Sequence, residues 1–362
     1  MTPRKDTTDF ESVERQLRAL ERGADEGEIE LGRGRQLHVS SLSKPYFQEA
    51  GITKGGLMRY YTRVAPALLP ELEGRALVLK RYPDGVQGPM FFQQNAGEHV
   101  PDEVRTATLD TVELGAKPRI IGGDLLTLLY TVQLGAIEVH PWLSRVNDVD
   151  SSDRCLIDLD PGDDVPFGTV AMLAKDVARI ADECGLRTAI KTSGASGIHI
   201  VLPLAPRTTY ETSTALAMHL AEAVVALHPD VATVERSVKA RPKGSIYVDA
   251  LQNARGKSMA APYSVRARVS ASVSAPLRER ELTSRLRIDA FTVRSMPGRL
   301  ARAGDLWADA IATRPTARMI DRAMAALDDA ASAPSPTTAR TARRTAGGRN
   351  AGSTTRRRGR NV

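Results

Sequence analysis

The sequence predicts an α+β fold whose second half is a β-α-β-β-α-β unit. Three observations lead there. The run "RCLIDLD" (residues 154–160) is strand-length and passes from apolar residues into acids. Residues 166–184, "PFGTVAMLAKDVARIADEC", and residues 208–228 have helix-length apolar periodicity, the first closed by Gly185. "LRTAIK", "IHIVLPL" and "SIYVDAL" are three further strand-length runs, the first two joined by the glycine turn "TSGASG". In chain order these make the split βαβ arrangement of a ferredoxin-like sheet.

Ahead of that unit the pattern is mixed. Phe10, Val13, Leu17 and Leu20 recur at helical spacing and predict an amphipathic helix over residues 8–22, ended by Gly23. Tyr60 to Leu72 reads as helical at least in part, "RALVLKRYP" as a strand, and "DLLTLLYTVQLGAIEVH" as a helix running into a strand. The loop "SRVNDVDSSD" separates the halves, and past Pro276 the chain reads as mostly helical to about residue 330. The resulting organisation is an N-terminal extension (1–35), an N-terminal α/β lobe (36–150), a core (151–275), a helical segment (276–330) and a tail (331–362).

Composition bounds the function class. No stretch approaches the roughly 20 uninterrupted apolar residues of a membrane helix, and the N-terminus lacks a signal-peptide core. Both point to a cytoplasmic protein without a membrane partner. Cys155 and Cys184 are the only thiols and form no CxxC pair, which speaks against a disulfide framework or a zinc site; Cys155 reads as a core residue. The net charge of +7 belongs to the tail, where residues 331–362 hold eight arginines and no acid, leaving −1 for residues 1–330. Such a tail is expected to be disordered. It would attract a polyanion such as nucleic acid, or simply keep the protein soluble.

Asp158 and Asp160 alternate with Ile157 and Leu159, so the two carboxylates share one strand face while the apolar pair faces the core. Hard oxygen donors on one face suit magnesium or manganese, and two such ions serve phosphoryl transfer. A bare DxD equally fits two solvated acids, a sugar-nucleotide transferase or an aspartyl phosphatase. Asp249 ends the fourth strand of the unit, which lies beside the first in a ferredoxin-like sheet, and so would join the other two acids. The turn in "KTSGASGIHI" offers backbone N–H groups to anionic oxygens, and Lys191, Ser193 and His199 add side-chain donors. Lys239, Arg241 and Lys243 precede the Asp249 strand and Arg266 and Arg268 follow it, as candidates to neutralise a triphosphate. Gln252, in the "QN" after Asp249, joins the nucleotide-binding set. Phe91 and Phe92, after a "PDG" turn, cannot both face one core from a strand. One is expected to be exposed, and stacking on a base would be worth roughly 1–3 kcal/mol.

Together these residues resemble the polymerase domain of bacterial ligase D, the end-joining branch of the archaeo-eukaryotic primase superfamily. The resemblance runs from about Leu37 to Leu277. It rests on "SLSKPYFQEAGITKGGLMRYY", "RYPDGVQGPMFFQQN", "QLGAIEVHPWLSR", "IDLDPGDDVPF", "KTSGASGIHIVLPL" and "VDALQNARGKSMAAPYSVRAR", in that order. It implies a primase-type fold with an RRM-like core and template-directed addition of NTPs or dNTPs, with manganese favoured. It further implies that Asp158, Asp160 and Asp249 are the metal-holding, catalytic acids. Ser193, His199, His140 and Arg266 would surround the nucleotide, Lys44 and Lys54 would recognise the 5′-phosphate at a DNA end or gap, and Phe91 and Phe92 would stack near the template. Two departures stand out. Gln94 occupies the position of a family lysine in "FFxKN", and the loop after the first acids carries the extra Asp163 and Asp164. With no ligase or nuclease segment after the core, the expectation is a nucleoid-associated polymerase working alone or with a separate ATP-dependent DNA ligase and a Ku-type end-binding protein. A de novo primase and a non-catalytic end-bridging module are the alternative readings.

Overall fold

In the computed structural model, which describes residues 9–110 and 115–332, local signals explain where the elements begin. Helix α1 (Phe10–Arg22) starts where the Asp9 carboxylate accepts from the Ser12 amide, and it buries Val13 and Leu17. Short strands β1 (Gly27–Glu30), β2 (Gln36–Val39), β3 (Pro45–Phe47) and β4 (Ile52–Thr53) follow as two antiparallel hairpins. Helix α2 (Lys54–Leu72) begins six residues before the helical stretch read from the sequence. Thr53 caps it by accepting from the Gly56 amide, and the helix continues through Pro66 and Pro70. Its tyrosines explain why it holds: the Tyr60 hydroxyl donates to the Tyr263 carbonyl and that of Tyr61 to the Ile137 carbonyl, both at 2.7 Å, inside the core.

Strands β5 (Leu77–Arg81), β6 (Phe91–Gln93) and, later, β9 (Ala136–Pro141) form a three-stranded sheet in the order β6-β5-β9. Between them lie the hairpin β7 (Thr106–Leu109) and β8 (Lys117–Ile120), and helix α3 (Leu125–Gln133), capped by Asp124.

The second half matches the topology read from the sequence. Strand β10 (Arg154–Pro161), helix α4 (Phe167–Glu183), strands β11 (Ala189–Thr192) and β12 (Ile198–Pro203), helix α5 (Tyr210–Leu227), a two-residue strand β13 (Ala232–Thr233) and strand β14 (Ile246–Asp249) follow one another. The sheet order is β13-β14-β10-β12-β11-β15, where β15 is Pro276–Leu277, with neighbours antiparallel except β13 and β14. The four central strands thus stand fourth, first, third, second, as a split βαβ requires. Helices α4 and α5 pack on each other and on β10, in which Ile157 and Leu159 are fully buried.

One segment departs from expectation. Residues after Pro276 do not turn helical at once: Pro276–Leu277 form strand β15 on the edge of the sheet, followed by two short 3₁₀ turns. Helices α6 (Met296–Ala303), α7 (Leu306–Ile311) and α8 (Ala317–Ser332) come only then. The pairing of Ile190 with Leu277 gives the reason, since β11 would otherwise present an open edge. Cys155 is buried as expected, and burial pushes its thiol up to about 12. No helix among the described residues is long and apolar enough to cross a membrane. Most of the arginine-rich tail lies outside the described residues.

Candidate active site

Strand register assembles the site. Lys191 on β11 lies opposite His199 on β12, His199 opposite Asp158 on β10, and Asp158 opposite Asp249 on β14. Directly opposed residues share a sheet face, so Lys-His-Asp-Asp crosses four strands as one row. Asp160 stands one row on, opposite Tyr247. The opposite face is apolar, and a one-residue slip would exchange the two.

The acids do not form a closed cage. Asp249 accepts from the Leu251 amide (2.8 Å), the Gln252 amide nitrogen (3.0 Å) and the Tyr247 hydroxyl (3.3 Å). Half-exposed Asp160 faces Arg241 at 3.6 Å, and that guanidinium stacks 3.9 Å over the Tyr247 ring. Among the described residues, no three His, Cys, Asp or Glu side chains are gathered as a ready metal-binding group. The expected convergence of the three acids therefore extends to neighbouring rows and no further. Like charges relax apart when each finds its own donor. The donor set still fits a hard divalent cation, because Asp158, although faced by His199 Nε2 at 3.5 Å, is partly buried against two other carboxylates. Burial, then Asp160, then Asp249 push its carboxyl up to about 7. A cation would offset that cost.

His199 is enclosed. Its Nε2 faces Asp158 Oδ1 at 3.5 Å and its Nδ1 lies 2.7 Å from Lys191 Nζ. A lysine ammonium has donors only, so while Lys191 keeps its charge Nδ1 accepts and the ring proton lies on Nε2, toward the acids. Burial, with Lys191 and Arg266 nearby, holds His199 well below the ordinary imidazole range. Lys191, expected among the nucleotide contacts, is instead fully buried behind His199, with a second bond to Ser274 Oγ at 2.8 Å. Burial places it well below the ordinary lysine range. In this structure it braces the histidine.

Ser193 shapes the glycine turn. Its hydroxyl accepts from the amides of Ala195, Ser196 and Gly197 at 3.0–3.3 Å. Gly194 has φ +74°, and a Cβ there would stand 2.6 Å from Arg266 Cγ, so the arginine lies directly on the turn. Arg266 donates to the Ser193 carbonyl and, at 2.8 Å, to Glu138. Glu138, on β9, is one residue the sequence reading missed. Only 2% exposed, it also accepts from the Ala267 amide (3.1 Å) and meets His140 Nε2 at 3.0 Å and Lys80 Nζ at 3.5 Å. Burial opposes its charge, yet His140 and Arg266 keep its carboxyl well below the usual carboxylate range. Period-2 alternation in "AIEVHP" places Glu138 on the face of His140 and was the available signal. Asn253 was missed too: it brackets Leu156 on β10, accepting from its amide and donating to its carbonyl at 2.7 Å each. Lys243 and the Asp163–Asp164 pair are exposed in loops beside the sheet.

The remaining candidates lie in the N-terminal half, on or beside β3, β6 and the start of α2. Lys54 is 5% exposed, donates to the Ser40 carbonyl and is pushed down to about 8 by burial and then by Lys44. Lys44 pairs with Asp84 at 2.8 Å, and its carbonyl accepts from the Lys54 amide. Phe91 and Phe92 are both exposed, at 44% and 59%, where only one was expected. Each lies opposite a cation on β5 instead of a core, Arg81 over Phe91 at 4.8 Å and Lys80 over Phe92 at 5.8 Å. Gln94, in the position of the family lysine, accepts from Arg119 through its carbonyl and side chain at 3.2 Å.

Comparison with known proteins converges on one family. The model for the LigD primase-polymerase domain matches residues 53–307. The multifunctional non-homologous end joining protein LigD of Pseudomonas aeruginosa is 34% identical over 281 residues, covering 76% of this chain and 33% of that protein. The bifunctional non-homologous end joining protein LigD of Bacillus subtilis is 32% identical over 270 residues, covering 74% and 43%. The chain thus spans less than half the length of these relatives. Among solved structures, the polymerase domain of Mycobacterium tuberculosis Ligase D in complex with DNA matches with a TM-score of 0.71 at 30% identity, over 77% of this chain and 99% of that one.

Proposed function

The chain belongs to the LigD primase-polymerase domain family, and from that premise we propose that it is a template-directed nucleotidyltransferase that extends DNA at breaks or gaps in non-homologous end joining. The observation that carries this reading is the Lys191-His199-Asp158-Asp249 row, with Asp160 one row away and the Ser193 turn at its edge. Asp158, Asp160 and Asp249 would hold divalent manganese or magnesium, which when bound supplies charge stabilisation at the phosphates and lowers the pKa of a primer 3′-hydroxyl.

The chain's own groups supply position and countercharge. The primer 3′-oxygen attacks the α-phosphorus of the NTP or dNTP in line, the new P–O bond forms as the bond to pyrophosphate breaks, and the hydroxyl proton passes to solvent. His199, its Nε2 proton fixed by Lys191, donates toward the triphosphate oxygens. Arg266, held in place by Glu138 and the Ser193 carbonyl, adds positive charge on the same side. Arg241 and Lys243 approach from the loop before β14, and Gln252 steadies Asp249. Such preorganised donors act without reorganising at the moment of reaction. His140 acts through Glu138, which orients Arg266.

On the DNA side, Lys44 and Lys54 would take a 5′-phosphate and the exposed Phe91–Phe92 pair would stack against template bases. A Ku-type end-binding protein and a DNA ligase activity are what this reaction would need to complete repair. The test is extension of a labelled primer across a gap with manganese and either NTPs or dNTPs, with and without a downstream 5′-phosphate. Extension that is lost in Asp158→Ala and in Asp160→Ala supports the reading. Extension that persists in either variant at the wild-type rate refutes the role of the acids.

A further inference from the structure

A basic cavity of about 250 Å³ lies outside the candidate active site, where α1 crosses the start of α2. Four arginines line it: Arg18 from α1, Arg59 and Arg63 from α2, and Arg294 from the segment before α6, with Thr53 and Gly56 at the opening of α2. Two carboxylates answer them. Glu14 accepts from Arg18 (2.6 Å) and Arg63 (2.9 Å to Nε), and Glu21 accepts from Arg59 and from the Thr53 hydroxyl. Arg294 donates to the Ala50 carbonyl at 2.6 Å and makes no ion pair among the described residues. Four guanidiniums against two carboxylates leave the cavity with two positive charges in excess.

We propose that this cavity is a phosphate-binding site, and that the phosphate it takes is a backbone phosphate of a nucleic-acid strand. Guanidinium forks match phosphate oxygens in pairs, and the Glu14 and Glu21 bonds orient three of the four forks in advance. An arrangement that served only to dock α1 would need no more cations than the carboxylates it ties down, and it would not need Arg294. The choice of nucleic acid over free phosphate comes from position. Gly51 to Thr53 and Gly56 wall the cavity and flank Lys54 in the chain, whose amide bonds the Lys44 carbonyl. A strand reaching those lysines passes this segment. That choice of source rests on the polymerase reading, whereas the phosphate site does not. Arg18, Glu14 and Glu21 also lie ahead of residues 53–307, so half of the cavity's charge arrangement is outside the matched family region.

The experiment uses the full chain and a labelled duplex ending in a 5′-hydroxyl, so that the Lys44–Lys54 surface is not the one probed. Binding is followed by anisotropy across a salt series for wild type, Arg294→Gln, Arg63→Gln and Arg294→Lys. Loss of one phosphate contact makes the slope of log K against log salt shallower by about 0.9, with affinity falling roughly fivefold at low salt. Arg294→Lys should keep most of both. Thermal shifts with inorganic phosphate and with pyrophosphate form the second arm. Variants that lose those shifts while binding duplex like wild type would place a free phosphate in the site and overturn the nucleic-acid assignment. Variants that match wild type in both arms overturn the site altogether. Arg63→Gln also releases Glu14, so if its melting temperature drops, Arg294→Gln decides, since its side chain gives up a single bond to a carbonyl. Variant-sensitive DNA binding in a chain that extends no primer would sink the polymerase reading and leave this site standing.

Discussion

Replacing Asp158 with asparagine should stabilise the metal-free protein at neutral and alkaline pH while abolishing nucleotide addition. The carboxyl is ordinarily half-ionised near 3.8, and in the fold it is raised to about 7 by burial and by Asp160 and Asp249. A raised carboxyl binds its proton more tightly in the native state than in the unfolded one. Between about pH 4 and pH 7, therefore, stability falls as pH rises, and the full penalty is present above 7. The rise from 3.8 to about 7 corresponds to a ceiling of about 4 kcal/mol. Water reaching the exposed part of the side chain, 29% of its surface, brings the expected figure nearer 2 kcal/mol. His199 and His140, both lowered by burial, push stability the other way over part of this range, so wild type alone is a poor readout. The difference between wild type and Asp158→Asn is the useful quantity. Urea unfolding with a chelator present, at half-unit steps from pH 4.5 to 8.5, should show the variant gaining about 2 kcal/mol on wild type, most of it by pH 7. Manganese should restore wild type and leave the variant where it was. A difference that is flat across the series refutes the electrostatic account of this site.

Three further outcomes follow from other parts of the molecule. Glu71 accepts from Arg154 (2.8 Å) and Trp307 (3.1 Å) with all three side chains buried, and Arg75 lies at 3.9 Å; Glu71→Gln leaves Asp153 as the carboxylate facing both guanidiniums, 2.6 Å from Arg75 and 3.6 Å from Arg154, and should cost about 3 kcal/mol in urea unfolding. Lys54, near 8, loses its charge as pH rises, so any preference for 5′-phosphorylated over 5′-hydroxyl DNA should decline between pH 7.5 and 9 in anisotropy measurements and be absent from Lys54→Met at every pH. Phe92→Ala should weaken binding of a gapped template by about 1–3 kcal/mol per lost base stack, with melting temperature unchanged because the ring is mostly exposed.

How much of this was written in the sequence depends on the range of the interaction. The elements of the core were legible because the run of Cys155 to Leu159, the spacing within residues 166–184 and the glycine turn each report local geometry. The start of α2 was not, because "KGG" opens it and glycine is a poor helix residue; Thr53 capping and the burial of Tyr60 and Tyr61 override that preference. Strand β15 was equally hidden. Two residues have no periodicity, and their pairing is set by the open edge of β11, more than eighty residues away.

The site divides along the same line. Asp158 with Asp160, and Glu138 with His140, can be read as pairs because strand alternation is local. That Asp158 meets Asp249 and His199 is a matter of register, which the apolar face of β10 constrains: with Ile157 and Leu159 buried in the core, a one-residue slip would carry the acids to the wrong face. Lys191 shows what such reasoning lacks. Its spacing from Ser193 and His199 says that it is near the turn, and charge says that it would suit a phosphate. The sequence alone contains nothing to say that Ser274, eighty-three residues on, and His199 would each take one of its protons. Once they do, the lysine's part is to hold the His199 ring with its free N–H toward Asp158. A lysine in that place can be exchanged for another donor of similar reach but not for an apolar side chain, because His199 would then be free to turn its proton away from the acids.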